Sequence, residues 1–204
     1  MKFLLGTKVN MTQVWDETGA VRPVTVVAVT PNVVTHLRTI EKDGYSAVQL
    51  GYGTRKAKNV NKATKGHAKE LGSFAGLREW RLDTPATQTV GDKIGVDIFQ
   101  KGEFVTVSGI SKGRGFQGAV KRHGFHGGSR THGQKHSERE PGAIGGAARA
   151  GGRVAKGMRM AGRMGGDRVT VRNLKVVDVI PDEHIILIEG AVPGRRGTVL
   201  EIRG

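Results

Sequence analysis

Val169-Thr170-Val171, Val176-Val177-Asp178-Val179-Ile180, Ile185-Ile186-Leu187-Ile188 and Val199-Leu200-Glu201-Ile202 form four β-favouring runs at the end of the chain. β-Branched side chains are stiff at χ1 and pack well on a pleated surface. Pro181-Asp182 and Pro193-Gly194 supply turn chemistry between the last runs. Working outward, Phe104-Val105-Thr106-Val107 and Val24-Thr25-Val26-Val27-Ala28-Val29 read the same way, and Val48, Leu50 and Tyr52 alternate with Gln49, Gly51 and Gly53. Asp43-Gly44 and Lys101-Gly102 mark further turns. Many short strands at close spacing favour a small barrel or sandwich over a parallel α/β sheet. The expected fold class is mostly β, a small barrel or sandwich with little helix. One stretch departs from this pattern. Glu70 to Arg81 carries Leu71, Phe74, Ala75 and Leu77 at roughly helical spacing, interrupted by Gly72 and Gly76, and follows the Lys-rich segment Ala57 to Lys69. It is expected to be a short helix or an irregular excursion.

Between the strand-rich flanks lies a segment of a different kind. Residues 109–168 hold 17 of the 32 glycines, 13 basic residues and three acidic ones, Glu138, Glu140 and Asp167. Of the chain's formal net charge of +15, +10 falls in these 60 residues and +5 in the other 144. Ile110, Val120, Ile144 and Val154 are the only Val, Ile or Leu residues there. So few apolar side chains cannot offset a backbone ordering cost of about 1–2 kcal/mol per residue. The segment is expected to be extended and mobile until a partner orders it. Because strands lie on both sides, the expected organisation is one discontinuous β-domain, 1–108 with 167–204, from which a basic extension, 109–166, emerges as a long loop.

Composition narrows the function classes. The 204 residues carry 33 Lys and Arg against 18 Asp and Glu, and such an excess attracts polyanions. The chain has no cysteine, which removes disulfide scaffolds, thiolate metal sites and cysteine nucleophiles. Met1-Lys2-Phe3-Leu4-Leu5-Gly6 is too poor in apolar residues for a signal-peptide core, and no apolar run approaches the ~18 residues of a membrane helix. A soluble, intracellular protein is expected.

The extension contains three suggestive patterns. Gly113-Arg114-Gly115-Phe116-Gln117-Gly118 spells G-x-G-x-x-G after a strand-like run. A dinucleotide fold would need a helix and then a second strand, but glycine returns at Gly124. The phosphate logic survives in another form: Gly113, Gly115 and Gly118 permit close backbone approach to an anion that Lys112, Arg114, Lys121 and Arg122 neutralise. His123, His126, His132 and His136 have spacings seen in metal sites. Arg122, Arg130, Lys135 and Arg139 lie among them and would repel a dication, so contacts to bases, or simply solvation, are the competing readings. The third pattern runs from Gly152 to Gly166 and mixes Arg153, Lys156, Arg159 and Arg163 with Met158, Met160 and Met164, and with no acid. Arg meets phosphates bidentately, Met fills irregular gaps, and Gly157 and Gly162 allow close approach. An RNA-embedded arm explains all three residue types, and a flexible basic tail explains the charge alone. Arg149 and Arg168 complete the candidate cations. Ser, His and Asp are present without a nucleophile-elbow context, and no enzyme is expected. No cofactor or metal is called for.

Ser108-Gly109-Ile110-Ser111-Lys112-Gly113-Arg114-Gly115-Phe116-Gln117-Gly118-Ala119-Val120-Lys121-Arg122-His123-Gly124-Phe125 resembles the diagnostic motif of the large-subunit ribosomal protein L-three family in its bacterial form. Further pieces resemble the family in order: Gly6-Thr7-Lys8-Val9-Asn10-Met11-Thr12, Thr131-His132-Gly133, Pro141-Gly142-Ala143-Ile144-Gly145, Lys156 to Gly165, Val169 to Leu174 and Gly190-Ala191-Val192-Pro193-Gly194. The resemblance implies a translation-protein-type β-barrel on the large subunit and an extension threading rRNA toward the peptidyl transferase centre. It also implies direct binding to 23S rRNA near its 3′ end, a role in starting subunit assembly, and the neighbours L-fourteen and L-nineteen. It implies no catalytic residue. Gly146-Ala147-Ala148 stands where some bacterial members carry a methylated glutamine, Asn10 stands where Gly is usual, and Arg149-Ala150-Gly151-Gly152 lacks the family's common Pro. The other class consistent with the composition is a free-standing RNA chaperone or nucleic-acid-binding protein.

Overall fold

The computed structural model describes residues 2–84, 86–145 and 151–204, and of Glu70 only the backbone. The chain divides into two compact units, Met1–Ile110 with Arg168–Gly204, and Ser111–Asp167. The division falls where the strand ending at Ile110 pairs with Arg168, so the β ladder itself closes the neck of the insertion.

The first unit contains a closed barrel. Its strands are β1 (Phe3–Trp15), β2 (Val21–Ala28), β7 (Phe104–Ile110), β10 (Arg168–Ile180), β11 (Ile185–Glu189) and β12 (Val199–Arg203). Their order around the barrel is β1-β12-β7-β10-β11-β2, with every pair antiparallel. Closure leaves no edge strand in the barrel to recruit another chain. Leu4, Val27, Val105, Val107, Val176, Ile186, Ile188, Leu200 and Ile202 fill the interior. Strand periodicity places the neighbours of Leu4, Phe3 and Leu5, in a second cluster with Val34, Val48 and Leu50.

That second cluster covers a four-stranded sheet ordered β5-β4-β3-β6, from β3 (Asn32–Arg38), β4 (Ala47–Thr54), β5 (Phe74–Arg81) and β6 (Lys93–Ile94). Here the expectation of a helix or irregular excursion over 70–81 is corrected: Phe74–Arg81 is a strand paired with β4. Of the two glycines that argued against a helix, Gly76 has a cross-strand role, and Gly51 on β4 is its counterpart. A Cβ on Gly51 would meet the Phe74 ring at 2.7 Å, and one on Gly76 would meet the Tyr52 hydroxyl at 2.5 Å. Each glycine thus makes room for an aromatic of the neighbouring strand. Helix is confined to short pieces. Among the labelled ones, α1 (Ile40–Asp43) ends at Gly44, and α2 (Lys62–Ala68) lies in the Lys-rich stretch, where Asn61 accepts from the Thr64 N–H at 2.7 Å. No described helix is long and apolar enough to cross a membrane.

The two runs Val169–Val171 and Val176–Ile180 belong to one strand of 13 residues. Its pairing with β7 slips between Val171 and Leu174, where Asn173 adopts a left-handed φ of 57°. The bulge bends the strand while keeping it in the barrel.

Candidate nucleic-acid interface

The second unit starts from an antiparallel ribbon. The Ser111 N–H donates to the Asp167 carbonyl at 2.8 Å, and the Arg114 N–H donates to the Met164 carbonyl at 2.9 Å. The ribbon continues as β8 (Gly115–Gln117) against β9 (Gly162–Met164), with Phe116 opposite Arg163. The five-residue helix α3 (Ala119–His123) follows and ends at Gly124, whose φ of 71° suits a left-handed cap. Beyond it, the Gly128 N–H bonds the Glu138 carbonyl at 2.9 Å, and Gly145 bridges Val154.

Among its described residues this unit buries only Ala119. Those residues therefore form no hydrophobic core of their own, and most of them are exposed. Lys112, Arg114, Lys121, His126, Arg130, His132, Lys135, His136, Arg139, Arg153, Lys156, Arg159 and Arg163 are all exposed. Arg168, at the start of β10 in the first unit, is exposed as well. Arg122 and His123 differ. Both are half-buried and both bond the Met160 carbonyl, at 2.8 Å from Arg122 Nη1 and 3.0 Å from His123 Nε2. They tie α3 to the returning strand, so their first partner lies within the unit. Arg149 lies outside the described residues.

The glycines separate by cause. Gly162 passes so close to the Arg122 guanidinium that a Cβ would sit 2.5 Å from Nη1. Gly115 and Gly157 have φ of 70° and 81°, a conformation L side chains rarely adopt. Gly113 and Gly118 have neither a positive φ nor a neighbour within 4 Å of an added Cβ. Nothing within the described residues demands glycine there.

Two features were not singled out as contacts from sequence. Phe116 is 77% exposed, a large aromatic held on a two-stranded ribbon beside Arg114 and Arg163. An exposed ring flanked by guanidiniums suits stacking on a base. Its signal was the lone aromatic inside the glycine motif. The second is the ion pair between Arg130 and Glu138 at 3.2 Å, which holds one of the few acids against a cation. Among the described residues, no group of three or more His, Asp or Glu is placed to hold a metal.

A sequence model of the family described as Ribosomal protein L3 matches residues 67–184, which span the ribbon, α3 and both barrel strands that flank them. The chain belongs to the ribosomal protein L3 family. It is 53% identical over 201 residues to the large ribosomal subunit protein uL3 of Roseiflexus sp., covering 98% of this chain and 95% of the relative. It is 51% identical to that of Acidothermus cellulolyticus, over 100% of this chain and 92% of the relative. It is 51% identical to that of Herpetosiphon aurantiacus, over 98% and 94%. Similarity at this level along both chains includes the barrel, the four-stranded sheet and the arm.

Proposed function

We propose that this protein is a structural constituent of the large ribosomal subunit, not an enzyme, and that the Ser111–Asp167 unit is an extension embedded in 23S rRNA. The observation that carries the reading is the surface of that unit: among its described residues, thirteen exposed cationic or imidazole side chains surround a single buried alanine. An element that cannot bury itself is stabilised by what it binds, and its charge selects folded RNA. The arm's cations displace counterions, its glycines admit the phosphate backbone, and its exposed aromatic and histidines meet bases. Family membership supports the finer statements. The extension runs toward the peptidyl transferase centre, the protein binds near the 3′ end of 23S rRNA early in assembly, L-fourteen and L-nineteen are its neighbours, and the ribosome in the cytoplasm is its location.

The experiment is sedimentation of a bacterial lysate containing the tagged full chain, followed by a high-salt wash. One copy per large subunit is expected to survive the wash, and a chain lacking residues 125–160 is expected to be depleted from mature subunits. Release from all particles at high salt would instead identify a free-standing RNA chaperone.

A further inference from the structure

The ribbon of the Ser111–Asp167 unit has two unlike faces. Strand alternation puts Phe116 and Arg163, paired and exposed, on one of them. Gln117, Gly162 and Met164, all half-buried, lie on the other. The helix α3 backs this second face, where Gly162 runs against the Arg122 side chain. Ala119 of α3 is buried, and the last turn of the helix carries Arg122 and His123.

Neither element stands by itself. A two-stranded ribbon is marginal in water, and five residues are far fewer than the ~12–15 at which isolated helices begin to persist. The Met160 carbonyl joins the two. It accepts from Arg122 Nη1 at 2.8 Å and from His123 Nε2 at 3.0 Å, which occupies both of its lone pairs. The His123 ring also lies 5.9 Å from that of Phe125, where the chain leaves α3. Gly162 makes the clasp possible. A Cβ there would sit 2.5 Å from Arg122 Nη1 and 3.1 Å from its Cζ, while the backbone of Gly162 lies outside the left-handed region. Glycine is therefore required there for the guanidinium and not for the chain.

We propose that Arg122 and His123 are positioning residues: their clasp on the Met160 carbonyl sets α3 behind the ribbon in the free protein, so that the face carrying Phe116 and Arg163 meets RNA already formed. The inference rests on the ribosomal reading above and separates these two side chains from the exposed cations of the arm. An arginine that meets phosphate releases counterions and contributes to the salt dependence of binding. An arginine that holds the site in shape lowers the ordering cost and contributes to affinity alone.

The test measures two properties of the full chain: amide hydrogen exchange without RNA, and affinity for large-subunit rRNA across a salt series. Gly162→Ala removes no charge and displaces the far end of the Arg122 side chain. It is expected to speed exchange at the Arg122 and Gly124 amides, which donate to the Gly118 and Val120 carbonyls, while Leu4 and Ile202 keep their protection. A fall of the formed state to about a tenth lowers affinity roughly ten-fold, with the slope of log K against log salt unchanged. Arg122→Gln is expected to match it in both respects. Arg163→Gln, on the exposed face, is expected instead to flatten the slope by about 0.7–0.9. Unchanged exchange in Gly162→Ala would overturn the clasp. Faster exchange with full affinity would overturn the positioning role, and so would a flattened slope in Arg122→Gln, which would make that residue a phosphate contact. If the unaltered chain does not bind rRNA at all, the ribosomal reading fails and this role falls with it.

Discussion

Asn32 holds both backbone groups of Leu5: its side-chain oxygen accepts from the Leu5 N–H at 2.7 Å, and its amide nitrogen donates to the Leu5 carbonyl at 3.1 Å. The same nitrogen donates to the Thr30 carbonyl at 2.9 Å. Asn32 is fully buried, between the strand that begins the barrel and the sheet beside it. Leu5 lies where β1 passes from pairing with β12 toward pairing with β2, and an amide side chain there substitutes for a ladder partner. Asn32→Ala leaves a buried donor and acceptor unmet at about 1–3 kcal/mol each. We expect the denaturant midpoint to fall by at least the equivalent of about 2 kcal/mol, and an unchanged midpoint would refute the role. Asn32→Asp is expected to be no better, because a carboxylate cannot donate to the two carbonyls.

Gly165 controls the root of the arm. Its φ is 74°, and a Cβ there would lie 2.2 Å from the Lys112 carbonyl oxygen. Gly165→Ala is expected to cost about 1–2 kcal/mol from the left-handed conformation alone, before the clash forces the two chains apart. The effect should be local. Hydrogen exchange at the Ser111 and Arg114 amides, which bond the returning chain, should accelerate, while amides of Leu4 and Ile202 keep their protection.

Alternation and turn chemistry made the barrel legible wherever a strand has one face in the core. The runs at 24–29, 104–107, 185–188 and 199–202 coincide with β2, β7, β11 and β12 because their apolar residues are the barrel interior. Phe74–Arg81 was not legible: Gly76 looks like a helix defect until Tyr52 is seen to occupy the space across from it on β4, as Phe74 occupies the space across from Gly51. The continuity of β10 was hidden by Arg172-Asn173, polar residues at a bulge. For the arm, counting charge located the cations. It did not show that Arg122 and His123 serve the Met160 carbonyl first, since that contact spans 37 or more residues. The gathering of Arg168, Arg203 and Arg78 on Glu201 was invisible for the same reason. Arg168 and Arg203 meet only after three strands are set in register.

Asp16 organises the β1–β2 turn. One carboxylate oxygen accepts from the Thr18 hydroxyl at 2.6 Å, the Thr18 N–H at 3.0 Å and the Ala20 N–H at 2.9 Å, while the other meets Arg22 at 3.1 Å. The Thr18 hydroxyl first, then Arg22, holds the carboxyl down to about 2 from an ordinary 3.8. A depressed folded-state value means that the ion is favoured by folding. Its stabilisation is present above pH 3.8 and is lost as pH falls through about 2. Titration of the Asp16 carboxyl by NMR should give that midpoint. In Asp16→Asn the stability curve should lose the part of its fall between those values that belongs to this residue; an identical curve would refute the linkage.

The free protein should be cut by trypsin first within the arm. Arg130, Lys135, Arg139, Arg153, Lys156 and Arg159 are exposed and lie outside β8, β9 and α3. Barrel cations such as Arg22 and Arg168 lie in paired strands, which must open before cleavage. Mass spectrometry of early fragments should show those six sites before any barrel site, and bound rRNA should suppress them. Early cleavage at Arg22 or Arg168 would contradict the division of the chain.

Arm affinity should be electrostatic and separable from stability. Arg163 projects from β9 opposite Phe116, and Arg159 lies just before it; both are exposed. Neither supports the core, so Arg159→Gln/Arg163→Gln is expected to shift unfolding by no more than about 0.5 kcal/mol. If each cation meets one phosphate, the slope of log K against log salt should flatten by about 1.4–1.8, the lower figure for single-stranded contacts and the upper for duplex. Phe116→Ala, which removes no charge, should weaken binding without changing that slope. A double variant with the slope of the unaltered protein would show that these arginines point away from the RNA, and would leave the arm's grip to Lys112, Arg114 and the cations beyond α3.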